Sequence, residues 1–382
     1  MKTAKVLSVL IVIFFITNGL AAQNSALPKY FYGNYSAKIG SKQIDINLMV
    51  VDSIVSGYYL EPDSVRSSHV GWTSRIQIPD SIYIFDDYSM FGENDTARPI
   101  FSGKFEGTSK IIGSWRGLNV VFAENKNKSV DMKIIRERKA YPNETDSVPQ
   151  ADAVVYYPKF STGNADASNR INAAVMGKLL EKVDENGSVS QFRSVQSILE
   201  NFIAEYVSST AEYNEYRDAN KRDSSIFPDF LPPWYLFVNF SIPHNDRGIL
   251  SYIQVVDVYS GGAHGMVFAD PMVFDCKSGS MLKLDDIISA EGQAELLMIA
   301  DSIFRRNNSI SPDSAINSNG NWFAQDTFYL PTKFYVDRSG MVFFYDLYEV
   351  TSYAEGMPEI FIPWARIEKL IRKESAVRRL LK

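Results

Sequence analysis

The sequence predicts an α+β C-terminal domain, an antiparallel sheet with packed helices, preceded by a small all-β N-terminal domain. Two observations carry this prediction. Residues 43–51 and 130–134 alternate apolar and polar side chains, which is the pattern of half-buried strands. Further along, apolar residues recur at helical spacing over 171–183 and 192–206. Because the two patterns occupy different parts of the chain, a strand-rich part comes before a mixed part.

Residues 1–22 have the composition of an export signal. Lys2 and Lys5 precede a short apolar run, and small residues end the segment at Ala22. The apolar run is too short to span a bilayer, and no later segment is apolar enough to do so. We therefore expect cleavage of this signal peptide and a protein in the periplasm or outside the cell, without a membrane span.

Charge and cysteine content narrow the class of protein further. The chain has 39 Lys and Arg against 45 Asp and Glu, a formal net charge of −6. This mild acidity is typical of a soluble protein and argues against a nucleic-acid partner. Cys276 is the only cysteine, so no disulfide can form within the chain. We interpret it as a small buried apolar residue, and stability must come from the core.

Residues 28–138 are expected to form the all-β domain. Ile44, Ile46 and Leu48 fall on one face of a strand, while the residues between them are mostly polar. Turn residues interrupt the short β-rich runs about every ten positions. This spacing predicts an antiparallel meander that is closed as a barrel or folded as a sandwich, with no helix longer than one turn.

Residues 139–151 are polar and contain two prolines, so we expect a linker there and the α+β domain over 152–382. Helix-type spacing and strand-type composition then define the elements of this domain. They include a strand over 153–157, a helix containing 171–183, a longer helix over 190–221, strands over 234–242, 249–258 and 327–336, a helix over 292–306, and a final helix from Trp364.

The most chemically suggestive stretch is the turn Tyr259–Gly265, which follows the strand over 250–258. Three glycines surround His264 there. Glycines so placed adopt positive φ and bring bare backbone N–H groups to the surface. We expect a tight turn with a prominent histidine, which could serve as a general base, as a ligand contact, or as a hydrogen-bonded lock between strands.

Several stretches that include this turn resemble the exported domain-of-unknown-function family 3298. In chain order they are residues 255–265, 274–287, 343–349 and 353–363. Residues 156–160 and the helix start over 169–172 are similar to its usual companion, family 4163. The two resemblances together cover residues 151–382 and leave the all-β domain outside.

The resemblance implies an α+β domain outside the cytoplasmic membrane. Some members of the family are the sensing part of anti-sigma factors that recognise lysozyme, and others are the non-catalytic part of peptidoglycan deacetylases. This chain has no paired histidines like those of the deacetylases' metal-binding part, because His69, His244 and His264 lie far apart in the sequence. For this chain the resemblance therefore implies only the binding domain of these proteins.

The candidate ligand-binding residues come from the glycine turn and from a later segment rich in tyrosine and glutamate. They are Tyr259, Ser260, Gly261, Gly262, His264, Tyr348, Glu349 and Tyr353. Aromatic and acidic side chains on such a loop suit a sugar or a peptide. If the protein is an enzyme, His264 and Glu349 are the catalytic candidates, and Glu349 could form an acid pair with Glu359.

These observations together predict a non-catalytic cell-envelope binding protein that engages peptidoglycan or a lysozyme-like protein acting on it. The alternative is a cell-wall glycan hydrolase or a deacetylase-like enzyme that uses His264 and a carboxylate. We expect no cofactor and no metal site, because the three histidines are scattered and no calcium-loop motif is present. The oligomeric state stays open. We also expect the turn over 260–265 to face the segment over 348–356.

Overall fold

The computed structural model describes residues 27–61, 64–70, 74–77, 80–85, 98–143, 145, 149–183, 188–219 and 231–381. The expected signal peptide, residues 1–22, lies outside them. Within the described residues an antiparallel β-barrel precedes a domain with a mixed sheet and a few helices. The predicted α+β class with an N-terminal all-β domain is therefore confirmed.

The described residues of the N-terminal unit form nine strands. They are β1 (Tyr30–Ile39), β2 (Lys42–Val51), β3 (Ile54–Leu60), β4 (Ser68–His69), β5 (Arg75–Gln77), β6 (Ser81–Ile84), β7 (Phe101–Phe105), β8 (Lys110–Trp115) and β9 (Leu118–Glu124). Strand β1 pairs with both β2 and β9, and β3 pairs with β2 and β5. Eight strands therefore close into a barrel, and β4 is attached to β3.

Alternating side chains fill the interior of this barrel. Ile44, Ile46 and Leu48, which the sequence placed on one face, are all buried, and Phe101 and Trp115 meet them in the same core. In the described part of residues 30–136 the structure contains no helix. Of the two architectures expected, the barrel is the one observed, because closure pairs both edges of the meander.

The C-terminal domain is built on a six-stranded sheet in the order β10-β11-β14-β15-β16-β17. Its strands are β10 (Asp131–Tyr141), β11 (Ala151–Ser161), β14 (Trp234–Asp246), β15 (Ile249–Tyr259), β16 (Met266–Asp275) and β17 (Ser280–Met281). Strand β11 runs parallel to β14 and the other pairs are antiparallel. The sheet is therefore mixed.

Two smaller sheets and five helices complete the part of this domain that the structure describes. They are the ribbon β12 (Glu181–Val183) and β13 (Val189–Gln191), the sheet β18 (Phe334–Val336), β19 (Gly340–Phe344) and β20 (Glu359–Pro363), and the helices α1 (Ala165–Leu179), α2 (Val195–Ala219), α3 (Leu284–Ile287), α4 (Ala290–Asn307) and α5 (Trp364–Ile367). Short 3-10 segments cover Ile316–Asn319, Ala324–Asp326, Tyr353–Glu355, Glu368–Leu370 and Ala376–Leu381.

The boundary between the two units differs from the expected one. Strand β10 was expected to end the all-β domain, with a linker over 139–151. It instead pairs along its whole length with β11, from Asp131 opposite Ser161 to Tyr141 opposite Ala151. The strand pairing thus places β10 in the second sheet, and the expected linker overlaps a hairpin. Alternation identifies a strand, but it does not say which strand is its neighbour.

Two helix predictions are corrected in the same way. The long helix begins at Val195 rather than near residue 190, because Val189–Gln191 pair with Glu181–Val183 as a ribbon. The final helix is only α5 followed by two 3-10 segments. It breaks at Ile371, which forms an isolated β-bridge with Ile288. Tertiary pairing overrides the local helical preference at both places.

The main sheet is covered on both faces. On one face, Val155 and Val238 pack with apolar residues of α2. On the other, Val255 and Val267 pack with residues of β18 and β19, such as Val342. Successive strand residues point to opposite faces, so β15 sends alternate side chains into two different layers.

The barrel contacts the main sheet through both apolar and polar groups. Its Tyr32 and Met49 lie in one buried cluster with Ile134 and Tyr156. Arg338 forms ion pairs with Asp45 of β2 and with Asp246, the latter at 2.9 Å. The Asn34 amide donates to the carbonyl oxygen of Asn245 at 2.7 Å. His244 lies beside these groups and is buried. Its ring Nε2 lies 3.0 Å from the Asp246 carbonyl oxygen, which can only accept, so this nitrogen carries the proton.

Strand β16 forms most of one edge of the main sheet, because β17 pairs only with Phe274 and Asp275. Two features modify the rest of that edge. Pro271 has no N–H to offer, and the Lys333 ammonium donates to the carbonyl oxygen of Ala269 at 2.9 Å.

Candidate functional site

The glycine turn connects β15 to β16, two neighbouring antiparallel strands of the main sheet. Gly261 and Gly262 have φ values of +106° and +88°, so the expected left-handed backbone is present. The Tyr259 hydroxyl donates to the carbonyl oxygen of Gly262 at 3.0 Å, and this hydrogen bond stabilises the turn. Ser260 and both glycines are exposed.

The second motif lies between β19 and β20. Tyr348 has φ of +63°, a left-handed conformation that costs a residue with a Cβ about 1 kcal/mol or more. The Trp322 indole N–H holds this backbone by donating to the Tyr348 carbonyl oxygen at 3.1 Å. The strained backbone turns the tyrosine ring toward the glycine turn, and 46% of the residue stays exposed.

The two motifs contact each other, as expected from the sequence. The Nδ1 of His264 lies 2.8 Å from the Gly265 carbonyl oxygen and therefore carries the ring proton. In the neutral ring Nε2 then accepts from the Tyr348 hydroxyl, 3.1 Å away. The rings of His264 and Tyr353 are stacked with centroids 4.1 Å apart, and Tyr348 lies 5.7 Å from Tyr353. His264, Tyr348 and Tyr353 thus form one cluster, in which His264 and Tyr348 are exposed and Tyr353 is half-buried.

A buried carboxyl lies beneath this cluster. Asp257 of β15 is only 4% exposed. Burial raises its pKa to about 6, although a hydrogen bond from the Tyr235 hydroxyl works in the opposite direction. The pKa of Tyr353 is raised as well, chiefly by burial and then by the negative charge of Asp257. A carboxyl with a raised pKa beside exposed aromatic rings is a frequent feature of functional sites.

Gly265 makes room for this arrangement. A Cβ at this position would lie 2.5 Å from the Tyr235 hydroxyl oxygen and 3.1 Å from the Val258 carbonyl oxygen. Only glycine therefore lets Tyr235 approach the turn, where its ring stacks on Tyr259 with centroids 6.0 Å apart. Tyr235 stays 38% exposed and extends the cluster sideways.

The two candidate acids, Glu349 and Glu359, are bonded to groups other than His264. Glu349 accepts from the Tyr329 hydroxyl at 2.8 Å and from the backbone N–H of Asp346 at 2.8 Å. Glu359 forms an ion pair with Arg66 of the barrel unit. The two glutamates are thus held by different partners, and the hydrogen bonds of the His264 ring go to Gly265 and Tyr348. The geometry gives no support to an acid pair or to a His264–Glu349 catalytic pair.

Four residues of this region were not among the sequence candidates: Tyr235, Asp257, Trp322 and Tyr329. Asp257 looks like an ordinary outward polar residue of a strand, because its burial depends on layers that pack from distant parts of the chain. Trp322 and Tyr329 come from the loop before β18. Two aromatic residues in one polar loop were the available signal, since exposed apolar side chains that lie together often mark a binding surface.

The described ranges contain no group of three or more His, Cys, Asp and Glu side chains that could hold a metal ion. Cys276 is buried, in agreement with its interpretation as an apolar core residue. What the arrangement offers is a set of rings with fixed orientation and exposed faces above one buried carboxyl.

Two family models match this chain, and each of them covers one of the two motifs. Residues 285–365 match the DUF3298 family model, described as a protein of unknown function. Residues 149–267 match a model described as Deacetylase PdaC. The Tyr-Glu segment thus lies in the DUF3298 match and the glycine turn in the PdaC match. The expected companion, family 4163, is not confirmed, and the glycine turn falls outside the DUF3298 match that the sequence led us to expect for it.

Two solved structures are similar to parts of this chain. A DUF3298 family member from Bacteroides fragilis has a TM-score of 0.50 at 18% identity, over 67% of this chain and 99% of that chain. A DUF3298 family protein from Pseudomonas aeruginosa has a TM-score of 0.47 at 14% identity, over 66% of this chain and 97% of that one. The first likeness supports the fold alone. No curated protein matches the chain.

No helix among the described residues combines the length and the apolar character needed to cross a bilayer.

Proposed function

We propose that this protein is an exported, non-catalytic binding protein of the cell envelope. Its ligand is peptidoglycan or a lysozyme-like protein that acts on it, and the binding residues are those of the glycine turn and the Tyr-Glu segment. The observation that carries this proposal is the cluster of His264, Tyr348 and Tyr353, in which both matched regions of the chain contribute side chains to one surface.

The arrangement supports binding over hydrolysis. A general base needs a free nitrogen within reach of substrate and a partner that orients it, usually a carboxylate. In His264 one ring nitrogen donates to a backbone carbonyl and the other accepts from a tyrosine. The alternative, a hydrolase or deacetylase-like enzyme, would have to break the Tyr348 contact before the ring could accept a substrate proton.

Export is part of this proposal, and its support is the composition of residues 1–22. We expect the protein recovered from osmotic-shock fluid to begin near Gln23. N-terminal sequencing of that fraction is the measurement. A chain with Met1 intact, found only in the cytosol, would contradict export and leave the binding site to be explained in another compartment.

Replacing His264 with alanine tests the binding site itself. We expect retention on purified peptidoglycan sacculi, or on immobilised lysozyme, to fall at least tenfold because the ring and its contact with Tyr348 are lost. The free energy of unfolding should fall by only about 1–2 kcal/mol, since the ring is exposed and its two hydrogen bonds, to Gly265 and Tyr348, are lost.

Met298→Ala provides the matched control, because this residue is 66% exposed on α4 and contacts neither motif. It should leave retention unchanged. The proposal fails if the unmodified protein is retained on neither sacculi nor lysozyme, or if His264→Ala lowers stability strongly and leaves retention intact. The second result would make the histidine a structural lock.

A further inference from the structure

The exposed aromatic side chains are concentrated around the proposed site. Among the described residues six aromatic side chains are more than a third exposed: Tyr216, Tyr235, Phe268, Trp322, Tyr329 and Tyr348. Four of these six contact the glycine turn or the Tyr-Glu segment, namely Tyr235, Trp322, Tyr329 and Tyr348. Such clustering of exposed rings is uncommon on a protein that binds nothing there.

The polar atoms of these rings are bonded to the protein rather than left for a ligand. The Trp322 N–H donates to the Tyr348 carbonyl oxygen at 3.1 Å, and the Tyr329 hydroxyl donates to Glu349 at 2.8 Å. The Tyr348 hydroxyl bonds to His264, and the Tyr235 hydroxyl is held by Asp257. The edges of the rings are therefore fixed. Tyr235 stacks on Tyr259 and Tyr348 stacks on His264, so each of these two rings has one face left for a ligand.

The frame beneath the rings is itself held in place. Glu349 accepts a second hydrogen bond from the backbone N–H of Asp346, and the Asp346 carboxylate forms an ion pair with Lys333 at 2.7 Å. Tyr329 also packs edge-on against the buried rings of Phe323 and Tyr345, with centroids 5.6 and 5.5 Å away. Rings that keep one orientation lose little conformational entropy when a ligand binds.

We propose that Tyr235, His264, Trp322, Tyr329, Tyr348 and Tyr353 form one extended stacking surface for a polysaccharide chain with β-linked pyranose rings. This inference rests on the proposed function and names its ligand class. A pyranose ring presents an apolar face of C–H groups that packs on an aromatic ring, and several sugars in a row need several rings. Nucleic acid, the other stacking ligand, is disfavoured by the carboxylates of Asp257, Glu349 and Asp346 next to the surface.

A protein partner is the competing occupant, and it fits less well. Tight protein interfaces are centred on pockets that take anchor side chains and on polar groups that bond across the interface. Here the polar atoms of the four exposed tyrosine and tryptophan rings at the site already have partners within the chain. A surface that offers ring faces and few free donors suits a ligand that stacks.

The test is titration calorimetry of the exported form with the β-1,4-linked hexamer and dimer of N-acetylglucosamine. We expect measurable binding of the hexamer and binding of the dimer at least tenfold weaker, because the dimer cannot cover the whole surface. Trp322→Leu and Tyr329→Leu should each weaken hexamer binding at least fivefold, since leucine keeps apolar bulk but has no flat face. Trp322→Phe should retain more binding than Trp322→Leu.

Phe268→Leu is the matched control. Phe268 is 43% exposed, but in β16 it points to the opposite face of the sheet from Val267, which packs under the site. It should leave hexamer binding unchanged. Melting temperatures of all variants confirm that each one is folded.

Three results would overturn the inference. One is no hexamer binding by a protein that is still retained on lysozyme, which would leave the proposed function standing with a protein ligand. Another is hexamer binding that the Trp322 and Tyr329 variants leave unchanged. The third is equal weakening by Phe268→Leu. A protein retained on neither lysozyme nor sacculi, and silent toward the hexamer, refutes the proposed function as well.

Discussion

Relative to the unmodified protein, a His244→Gln variant is expected to gain about 3 kcal/mol of stability as the pH falls from 7 to 4.5. Burial at the interface with the barrel lowers the pKa of His244 from its usual 6.5 to about 4, although the nearby Asp337 and Asp246 favour the charged ring and Arg338 opposes it. The folded protein therefore binds fewer protons at this residue than the unfolded chain.

The sign of the pH effect follows from this difference. The contribution of His244 to stability is complete above pH 6.5 and is lost as the pH falls toward 4, by about 1.4 kcal/mol for each unit of pKa difference. Glutamine can still donate to the Asp246 carbonyl oxygen but does not titrate. Urea unfolding between pH 7 and pH 4.5 measures the effect. His69→Gln is the control and should follow the pH dependence of the unmodified protein. A difference in stability between His244→Gln and the unmodified protein that stays constant from pH 7 to pH 4.5 would contradict the assignment.

Replacing Asp257 with asparagine is expected to stabilise the protein by about 2–3 kcal/mol at pH 7.5. The pKa of this carboxyl, raised by burial from 3.8 to about 6, means that the folded state favours the protonated form. A charged Asp257 therefore opposes folding above pH 6, and this cost disappears as the pH falls below 4. Asparagine removes the charge while its side-chain oxygen can still accept from the Tyr235 hydroxyl.

The gain should be seen in urea unfolding at pH 7.5 and should vanish near pH 4. Asp313→Asn, at an exposed position, is the control and should change the free energy of unfolding by less than about 0.5 kcal/mol. A destabilising effect of Asp257→Asn at pH 7.5 would show that the carboxylate is compensated in the folded state. A stabilising one would mark Asp257 as a residue kept at a cost to stability, as binding sites often are.

The two groups titrate over overlapping ranges with opposite effects. Acid removes a cost at Asp257 and creates one at His244. The unmodified protein should therefore change little in stability between pH 6.5 and 4 on account of these two residues. The single variants separate the effects, because Asp257→Asn should be destabilised by acid and His244→Gln stabilised by it.

Much of the fold could be predicted from local pattern alone. Alternation over 43–51 identified a barrel strand with its buried face, and helical spacing identified α1, where Ile171, Val175 and Leu179 are buried. Three glycines around His264 were sufficient to predict the left-handed turn. These features depend on residues close together in the sequence, so the sequence carries them directly.

The features that local pattern missed all depend on distant pairing. Strand β10 takes its neighbour from the second sheet, and the C-terminal helix breaks where Ile371 pairs with Ile288. Asp257 is buried only because β18 and β19 cover its face of the sheet. Trp322 joins the site because a hydrogen bond crosses from its loop to Tyr348. Each depends on contacts between segments that the sequence keeps apart.

The edge formed by β16 has a consequence for association between copies of this chain. An unpaired edge strand is a template on which a strand from another molecule can add, and this is a common route to aggregation. Pro271 removes one donor from that template, and Lys333 occupies one acceptor and places a positive charge beside it. A strand that added to this edge would have to remove water from the Lys333 ammonium. It would also have one carbonyl group opposite Pro271 that finds no donor. These two residues therefore oppose the addition of a further strand along β16, so a concentrated solution of this protein can stay free of polymers that form by strand addition.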